Sequence, residues 1–144
     1  MTSTTSKIKS FTDLNAWKEG HKLVLSIYKS TEEFPNKETF GLTSQMRRCV
    51  VSITSNIAEG FSRNTARDKY QFYSIAQGSL TELQNQLIIA RDVGYLQDSK
   101  FQDIAGQTIV VNKLINGLKR IRNTKYQILN TRYKCNALSN TPVY

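Results

Sequence analysis

The chain has 144 residues, of which 39% are hydrophobic, a length and composition that suit one domain with one modest core. No apolar run approaches the roughly 20 residues that span a bilayer. The first residues also lack the apolar stretch of a secretory signal. We therefore expect a cytoplasmic protein that makes no contact with membranes. Cys49 and Cys135 have no metal-like spacing, and a buried thiol is the expectation for Cys49.

The formal net charge is +9, and it is concentrated towards the C-terminus. Residues 1–99 carry twelve Lys/Arg and ten Asp/Glu, whereas residues 100–144 carry eight Lys/Arg and one acid, Asp103. The balance is thus +2 for the first segment and +7 for the second. Such asymmetry is typical of a protein that meets phosphate or another acidic surface, although a solubilising face would look the same.

The first helix is predicted over residues 12–33, with Thr12 or Asp13 as its N-cap and Pro35 beyond its end. Two apolar stripes follow it at steps of three and four. The stripe with the larger side chains is predicted to face the core: Leu14, Trp17, His21, Val24 and Tyr28. The stripe with the smaller side chains is predicted to mediate self-association: Ala16, Gly20, Leu23 and Ile27.

The second helix is predicted over residues 43–61, with Gly60 marking its end. Its core face is predicted to hold Leu42, Met46, Cys49, Ile53 and Ile57. Val51 and Ala58 point away from that face. Because a helix that is apolar on two sides is either central or part of a subunit interface, these two residues also favour self-association.

A polar strip lies beside the core stripe of the second helix, at spacings of 3, 4, 4 and 3 residues. It consists of Gln45, Arg48, Ser52, Asn56 and Glu59. One interpretation is a hydrogen-bonded network that fixes the bundle register or the contacts between subunits. The other is a lining that meets a ligand or a phosphate, with Arg48 as the donor.

The third helix is predicted over residues 65–93, capped by Thr65 and ended by Gly94, and the fourth begins with Asp98 as its cap and continues to about Arg122. The third helix has a core stripe at heptad spacing: Tyr73, Ala76, Leu80, Leu83, Leu87 and Ala90. The fourth has a less regular one: Ile104, Val111, Leu114, Leu118 and Ile121.

Short connections between long helices favour antiparallel neighbours, so the predicted fold is all-α, an up-down-up-down four-helix bundle. The predicted organisation is a flexible N-terminal segment over residues 1–11, the bundle over residues 12–122, and a basic, flexible tail over residues 123–144.

No catalytic constellation, cofactor motif or metal-ligand spacing is recognisable in the sequence. His21 is the single histidine, and its place in an apolar stripe is typical of a packed residue. We therefore expect a protein that is not an enzyme and that uses neither a cofactor nor a metal.

The fourth helix is basic away from its core stripe, and the segment after it interleaves bases with Tyr126 and Tyr133. Such a segment can contact phosphates and stack on bases, or it can simply be solvated. The predicted nucleic-acid contacts are Lys113, Lys119, Arg120, Arg122, Lys125 and Arg132, with Arg47 and Arg48 as further candidates.

Four linked segments of the chain carry a family resemblance: FTDLNAWK at 11–18, FGLTSQMRR at 40–48, SITSNIAEGF at 52–61 and FYSIAQGSLTEL at 72–83. With them, the chain resembles the bacterial four-helix-bundle proteins encoded in intervening sequences of 23S ribosomal RNA genes, over about residues 11–121. The segment NIAEG is the most specific part. The resemblance implies an up-down bundle and a ring-like homo-oligomer, with a pentamer favoured.

The leading hypothesis is an oligomeric accessory protein that associates with RNA or DNA through a basic surface. The alternative is a scaffold that binds an unidentified protein partner through its second apolar stripe and does not bind nucleic acid. Reversing the basic charges distinguishes the two, because only a nucleic-acid binder depends on them.

Overall fold

The structure, a computed structural model, describes residues 6–138, with side chains as far as residue 121. Four helices follow one another: α1 (Asn15–Thr31), α2 (Leu42–Ser62), α3 (Ala66–Asp92) and α4 (Asp98–Leu138). Single 3-10 turns precede α1 and α2, and no strand occurs among the described residues. The predicted all-helical class with four helices is confirmed. Helix α4 runs to Leu138, beyond the end predicted near Arg122.

Helices α2 and α3 form the most extensive helix–helix interface of the bundle. Gly60, near the end of α2, faces Tyr73, near the beginning of α3. Further along, the Ser52 and Ser79 hydroxyls lie 2.9 Å apart. Because the residue number falls on one helix as it rises on the other, the two helices are antiparallel.

Helix α4 is antiparallel to α3 for the same reason. Gln84 Nε2 donates to Thr108 Oγ1 at 3.0 Å. Nearer the connection between the helices, the Arg91 guanidinium lies 4.4 Å from the centre of the Phe101 ring. Helix α4 therefore runs back along α3.

Helix α1 contacts both α2 and α4, and its contact with α4 closes the four helices into a square arrangement. Arg47 Nε donates to Thr31 Oγ1 at 2.9 Å, at the end of α1 and the beginning of α2. Gly20 and Thr54 meet at the other end of this interface. The order up-down-up-down thus holds around the whole bundle.

The core stripes predicted for α2 and α3 are confirmed. All six α3 residues from Tyr73 to Ala90 in that stripe are buried, as are Met46, Cys49, Ile53 and Ile57 on α2, while Leu42 is half-buried. The α4 prediction is correct for Ile104 and Val111, and Leu114 and Leu118 pack against the core from its edge. It is wrong for Ile121, which is 62% exposed; Ile115 is buried instead.

The two stripes of α1 were predicted the wrong way round. The four residues assigned to self-association, Ala16, Gly20, Leu23 and Ile27, are all buried within the single chain. They therefore cannot form a subunit interface. Of the stripe predicted for the core, Leu14 is buried, Trp17 and Val24 are half-buried and pack against the core from its edge, and His21 and Tyr28 are exposed.

The physical reason is the short distance between α1 and α2. A Cβ atom on Gly20 would lie 3.0 Å from Thr54 Cγ2, closer than ordinary van der Waals contact. The separation of two packed helices depends on the side chains between them. Small residues allow this close contact, whereas a face carrying Trp17 and Tyr28 would hold the helices apart.

Some of the helix caps predicted from the sequence are present in the structure, and others are not. Thr65 Oγ1 accepts from Asp68 N at 3.1 Å, and Gly94 has a φ of +86°, so the start and end predicted for α3 are confirmed. Asp13, predicted as an N-cap of the first helix, instead accepts from the backbone N–H groups of Lys9 and Ser10 in the preceding turn. These bonds hold the pKa of the Asp13 carboxyl below its usual range.

Glu38 connects three parts of the bundle at the end opposite Gly60. Its Oε2 accepts from Leu42 N at 3.0 Å at the start of α2, and its Oε1 accepts from the Tyr95 hydroxyl at 3.1 Å. Both bonds favour the ionised form and lower the pKa of Glu38, the bond from Leu42 most. The stabilisation is therefore present above the ordinary carboxyl pKa and is lost as the pH falls through the lowered value.

Candidate nucleic-acid interface

The predicted phosphate contacts are found in different environments. Lys113 on α4 and Arg48 on α2 are exposed, and neither forms a hydrogen bond or ion pair with another described residue. Arg120 is also exposed on α4. Of the remaining α4 candidates, the side chains of Arg122, Lys125 and Arg132 lie outside the described residues.

Arg47 is used within the bundle. Besides its bond to Thr31, its Nη2 donates to the Tyr28 carbonyl at 3.4 Å, and its guanidinium lies 4.7 Å from the centre of the Tyr28 ring. These contacts tie α2 to α1. Arg47 is therefore best explained by packing, and its assignment to nucleic acid has no support from its contacts.

Lys119 is half-buried between α4 and α3. Its Nζ donates to Gln77 Oε1 at 2.8 Å and lies 4.8 Å from the centre of the Tyr70 ring. An ammonium group has three donors, so these contacts leave donor capacity for a ligand. The side chain is thus held in place while part of its charge stays available.

Gln77 continues this contact into a network between α3 and α4. Its Nε2 donates to Asn112 Oδ1 and to Asn116 Oδ1, both at 2.8 Å. The sequence predictions did not include Gln77, Asn112 or Asn116. The two asparagines precede Lys119 at spacings of four and three residues on one side of α4, and this spacing is the signal that would have pointed to them.

The polar strip of α2 forms the wall of a groove against α3. A cavity of about 320 Å³ opens there, lined by Gln45, Arg48, Cys49, Ser52, Ser79 and Glu82. Asn56 Nδ2 donates to the Ser52 carbonyl at 2.8 Å, and Ser52 reaches Ser79 across the groove. Ser52 and Asn56 therefore belong to a hydrogen-bonded network that reaches α3, whereas Gln45 and Arg48 line the cavity without joining that network. Glu59 lies apart from it and pairs with Arg63 at 3.2 Å, on the surface of the same helix.

Cys49 lies at the floor of this groove with 5% of its surface exposed. Its Sγ donates to the Ser79 carbonyl at 2.9 Å. Burial, followed by the negative charge of Glu82, raises the pKa of Cys49 to about 12. The group is therefore a neutral thiol at physiological pH and a poor nucleophile.

His21 lies on another side of the molecule, where its ring stacks on Trp17 at 4.9 Å between centroids. The groove that Arg48 lines includes neither His21 nor Glu59.

Within residues 6–121, no three His, Cys, Asp or Glu side chains are grouped as a metal ion would require. None of the described helices combines the length and the apolar character of a membrane span.

Apolar side chains also reach the surface where α1 lies beside α2. The antiparallel register places Val24 at the level of Val51 and Trp17 at the level of Ala58 along the two helices, with Tyr28 further along. Val51 is 39% exposed and Tyr28 is 41% exposed. We call these five residues the α1–α2 apolar surface. The prediction that Val51 and Ala58 lie off the core face is confirmed.

Comparison with known proteins agrees with this architecture. A crystal structure of a protein of unknown function from the S23 ribosomal protein family of Bacteroides thetaiotaomicron superimposes with a TM-score of 0.67. The alignment has 18% identity and covers 73% of this chain and 95% of that one, so it shows a shared fold. No curated protein matches the chain. The pattern of the 23S rRNA-intervening sequence proteins matches residues 12–117. The bundle and this match together show that the chain belongs to the 23S rRNA-intervening sequence protein family.

Proposed function

We propose that this chain is a non-enzymatic, homo-oligomeric accessory protein of the cytoplasm that binds RNA or DNA through the basic side of α4. The observation that carries the proposal is the separation of charge along the chain. No acid follows Asp103, whereas seven Lys/Arg do. Lys113 and Lys119 take part in none of the ion pairs among the described residues.

Unneutralised cations on one helix create a local positive potential that attracts a polyanion. Each Lys or Arg that neutralises a phosphate releases condensed counterions, so the affinity for nucleic acid falls steeply with salt. Exposed Lys113 and Arg120 are the described side chains best placed to make such contacts.

We expect the double variant Lys113→Glu/Arg120→Glu to bind single-stranded RNA at least about tenfold more weakly than the wild type at low salt, with a shallower dependence on salt. Fluorescence anisotropy between 50 and 200 mM salt measures both quantities. The matched control is Lys18→Glu/Lys29→Glu, which makes the same change in net charge on exposed positions of α1. A wild-type protein that binds neither RNA nor DNA at low salt would contradict the proposal.

Self-association is the second part of the proposal, and the α1–α2 apolar surface supports it. Because Ala16, Gly20, Leu23 and Ile27 are buried, the proposed interface lies instead on residues that water reaches, Val51 among them. Apolar side chains that reach the surface near one another often mark interfaces. A closed ring of five subunits, which the family resemblance implies, is the state that we propose.

Val51→Glu is expected to shift the assembly towards the monomer, because a charge would have to be buried at each contact. Light scattering after size-exclusion chromatography gives the mass, and absorbance at 260 nm shows whether nucleic acid travels with it. Val110→Glu, a similar change at an exposed α4 position, serves as the control and should leave the mass unchanged. If the wild type is monomeric at micromolar concentration, this part of the proposal fails.

The α1–α2 apolar surface also supports the second candidate function, a scaffold for a protein partner. The charge-reversed variant distinguishes the two functions. A scaffold that uses apolar side chains keeps its partner when Lys113 and Arg120 are reversed, whereas a nucleic-acid binder loses its ligand.

A further inference from the structure

We infer that Asn112, Asn116 and Lys119 form a site for the oxygen atoms of a phosphate group, and that Gln77 is the positioning residue that orients it. The inference rests on the proposed function in one respect, since the phosphodiester of RNA or DNA is the proposed source of the phosphate. Free phosphate offers the same chemistry.

The orientation of the network follows from Lys119. An ammonium group can only donate hydrogen bonds, so the Gln77 atom that lies 2.8 Å from it must be the acceptor, Oε1. The other end of the Gln77 amide is then Nε2, which can only donate. Its two neighbours at 2.8 Å must therefore be the carbonyl oxygens of Asn112 and Asn116. Lys119 thus determines the direction of three amide groups.

The consequence is that both asparagines turn their oxygens towards Gln77 and their Nδ2 groups away from it. Neither Nδ2 bonds to another described residue, and neither is among the buried atoms that lack a partner. Each is therefore a solvent-facing donor. Residues four apart on a helix are separated by a rise of about 6 Å and lie on the same side.

Together with the remaining donors of Lys119, the site presents donors from three adjacent side chains and turns both asparagine acceptors inward. Such a set favours a ligand that is rich in acceptors and negatively charged, because every contact is then a charge-assisted hydrogen bond. The network is already formed without the ligand, so little rotamer freedom remains to be lost when it binds. These properties match phosphate oxygens.

The first test observes the wild-type protein by nuclear magnetic resonance of its side-chain amides. Sodium phosphate is expected to shift the Nδ2 signals of Asn112 and Asn116, whereas sodium chloride at the same ionic strength is not. Asn85, exposed on α3, is the internal control. A short single-stranded RNA should shift the same two signals at lower concentration. If both phosphate and RNA leave them unmoved, the inference is overturned.

The second test reverses the network without changing its shape. In Gln77→Glu the carboxylate accepts on both sides, so Asn112 and Asn116 turn their Nδ2 groups inward and expose acceptors. We expect RNA affinity to fall about tenfold below that of Gln71→Glu, which adds the same charge at an exposed α3 position. Equal RNA affinity of these two variants overturns the inference but leaves nucleic-acid binding in place.

The two proposals can fail separately. A wild type that binds neither RNA nor DNA, while phosphate still shifts both asparagine signals, would contradict the nucleic-acid function and leave the phosphate site in place. Should Gln77→Glu fail to fold, as shown by circular dichroism, the measurement on the wild type decides the question alone.

Discussion

Replacing Gly60 with alanine is expected to destabilise the bundle by about 1–3 kcal/mol, the usual range for overpacking a core. A Cβ atom at this position would lie 2.7 Å from Tyr73 Cε1 and 3.1 Å from Phe72 Cβ. The Tyr73 ring is 5% exposed, so it has little space into which to move. Helices α2 and α3 would have to move apart at this contact.

The control is Gly78→Ala, on the exposed side of α3, where a Cβ would meet nothing within 4 Å. Alanine is favoured over glycine inside a helix by roughly 0.5–1 kcal/mol, so this variant should be more stable than the wild type. Urea denaturation of both variants, with unchanged slopes, would show opposite shifts of the midpoint. Stabilisation by both substitutions would mean that α2 and α3 do not approach as closely as described.

Cys49 is expected to react with iodoacetamide at least about thirtyfold more slowly in the native protein than in the unfolded chain at pH 8. With a pKa of about 12, its thiolate fraction is roughly a thousandfold lower than that of an ordinary thiol. A more basic thiolate is a stronger nucleophile, and this offsets part of the decrease in reaction rate. Low exposure slows the attack further.

A Cys135→Ser background restricts the measurement to Cys49, and guanidinium-unfolded protein provides the reference rate. Because the folded pKa is raised, the native rate should keep rising with pH up to about pH 12. The exposed residue Glu82 raises the Cys49 pKa through its charge, so Glu82→Gln should speed the reaction. A native rate equal to the unfolded rate would show that Cys49 is neither buried nor raised in pKa.

The sequence predicts the core residues well where a helix carries a single apolar stripe. On α3, six apolar residues at heptad spacing form one stripe, and all six are buried. On α1, two stripes share the same spacing, so periodicity alone could not choose between them. The choice depends on how closely α1 and α2 approach, and Gly20 is the residue that permits the close contact.

Only the positive charge of the candidate site could be predicted from the sequence. The excess of Lys and Arg after Asp103 can be read from the sequence, and it pointed to Lys113, Lys119 and Arg120. The role of Gln77 could not be read in the same way, since it depends on which α4 residues lie opposite it. Gly60 is similar: its residue type indicated the end of the second helix, and it does lie in the last turn of α2, but its contact with Tyr73 could not be read from the sequence.

The square arrangement of the helices has a consequence for synthesis on the ribosome. Helices α1, α2 and α3 each meet the next helix along the chain, so they can assemble as they emerge. The contact between α1 and α4 joins the two most distant elements and must wait until α4 has been made. Until then the side of α1 that α4 covers is open to water, and the nascent chain depends on α4 to protect it.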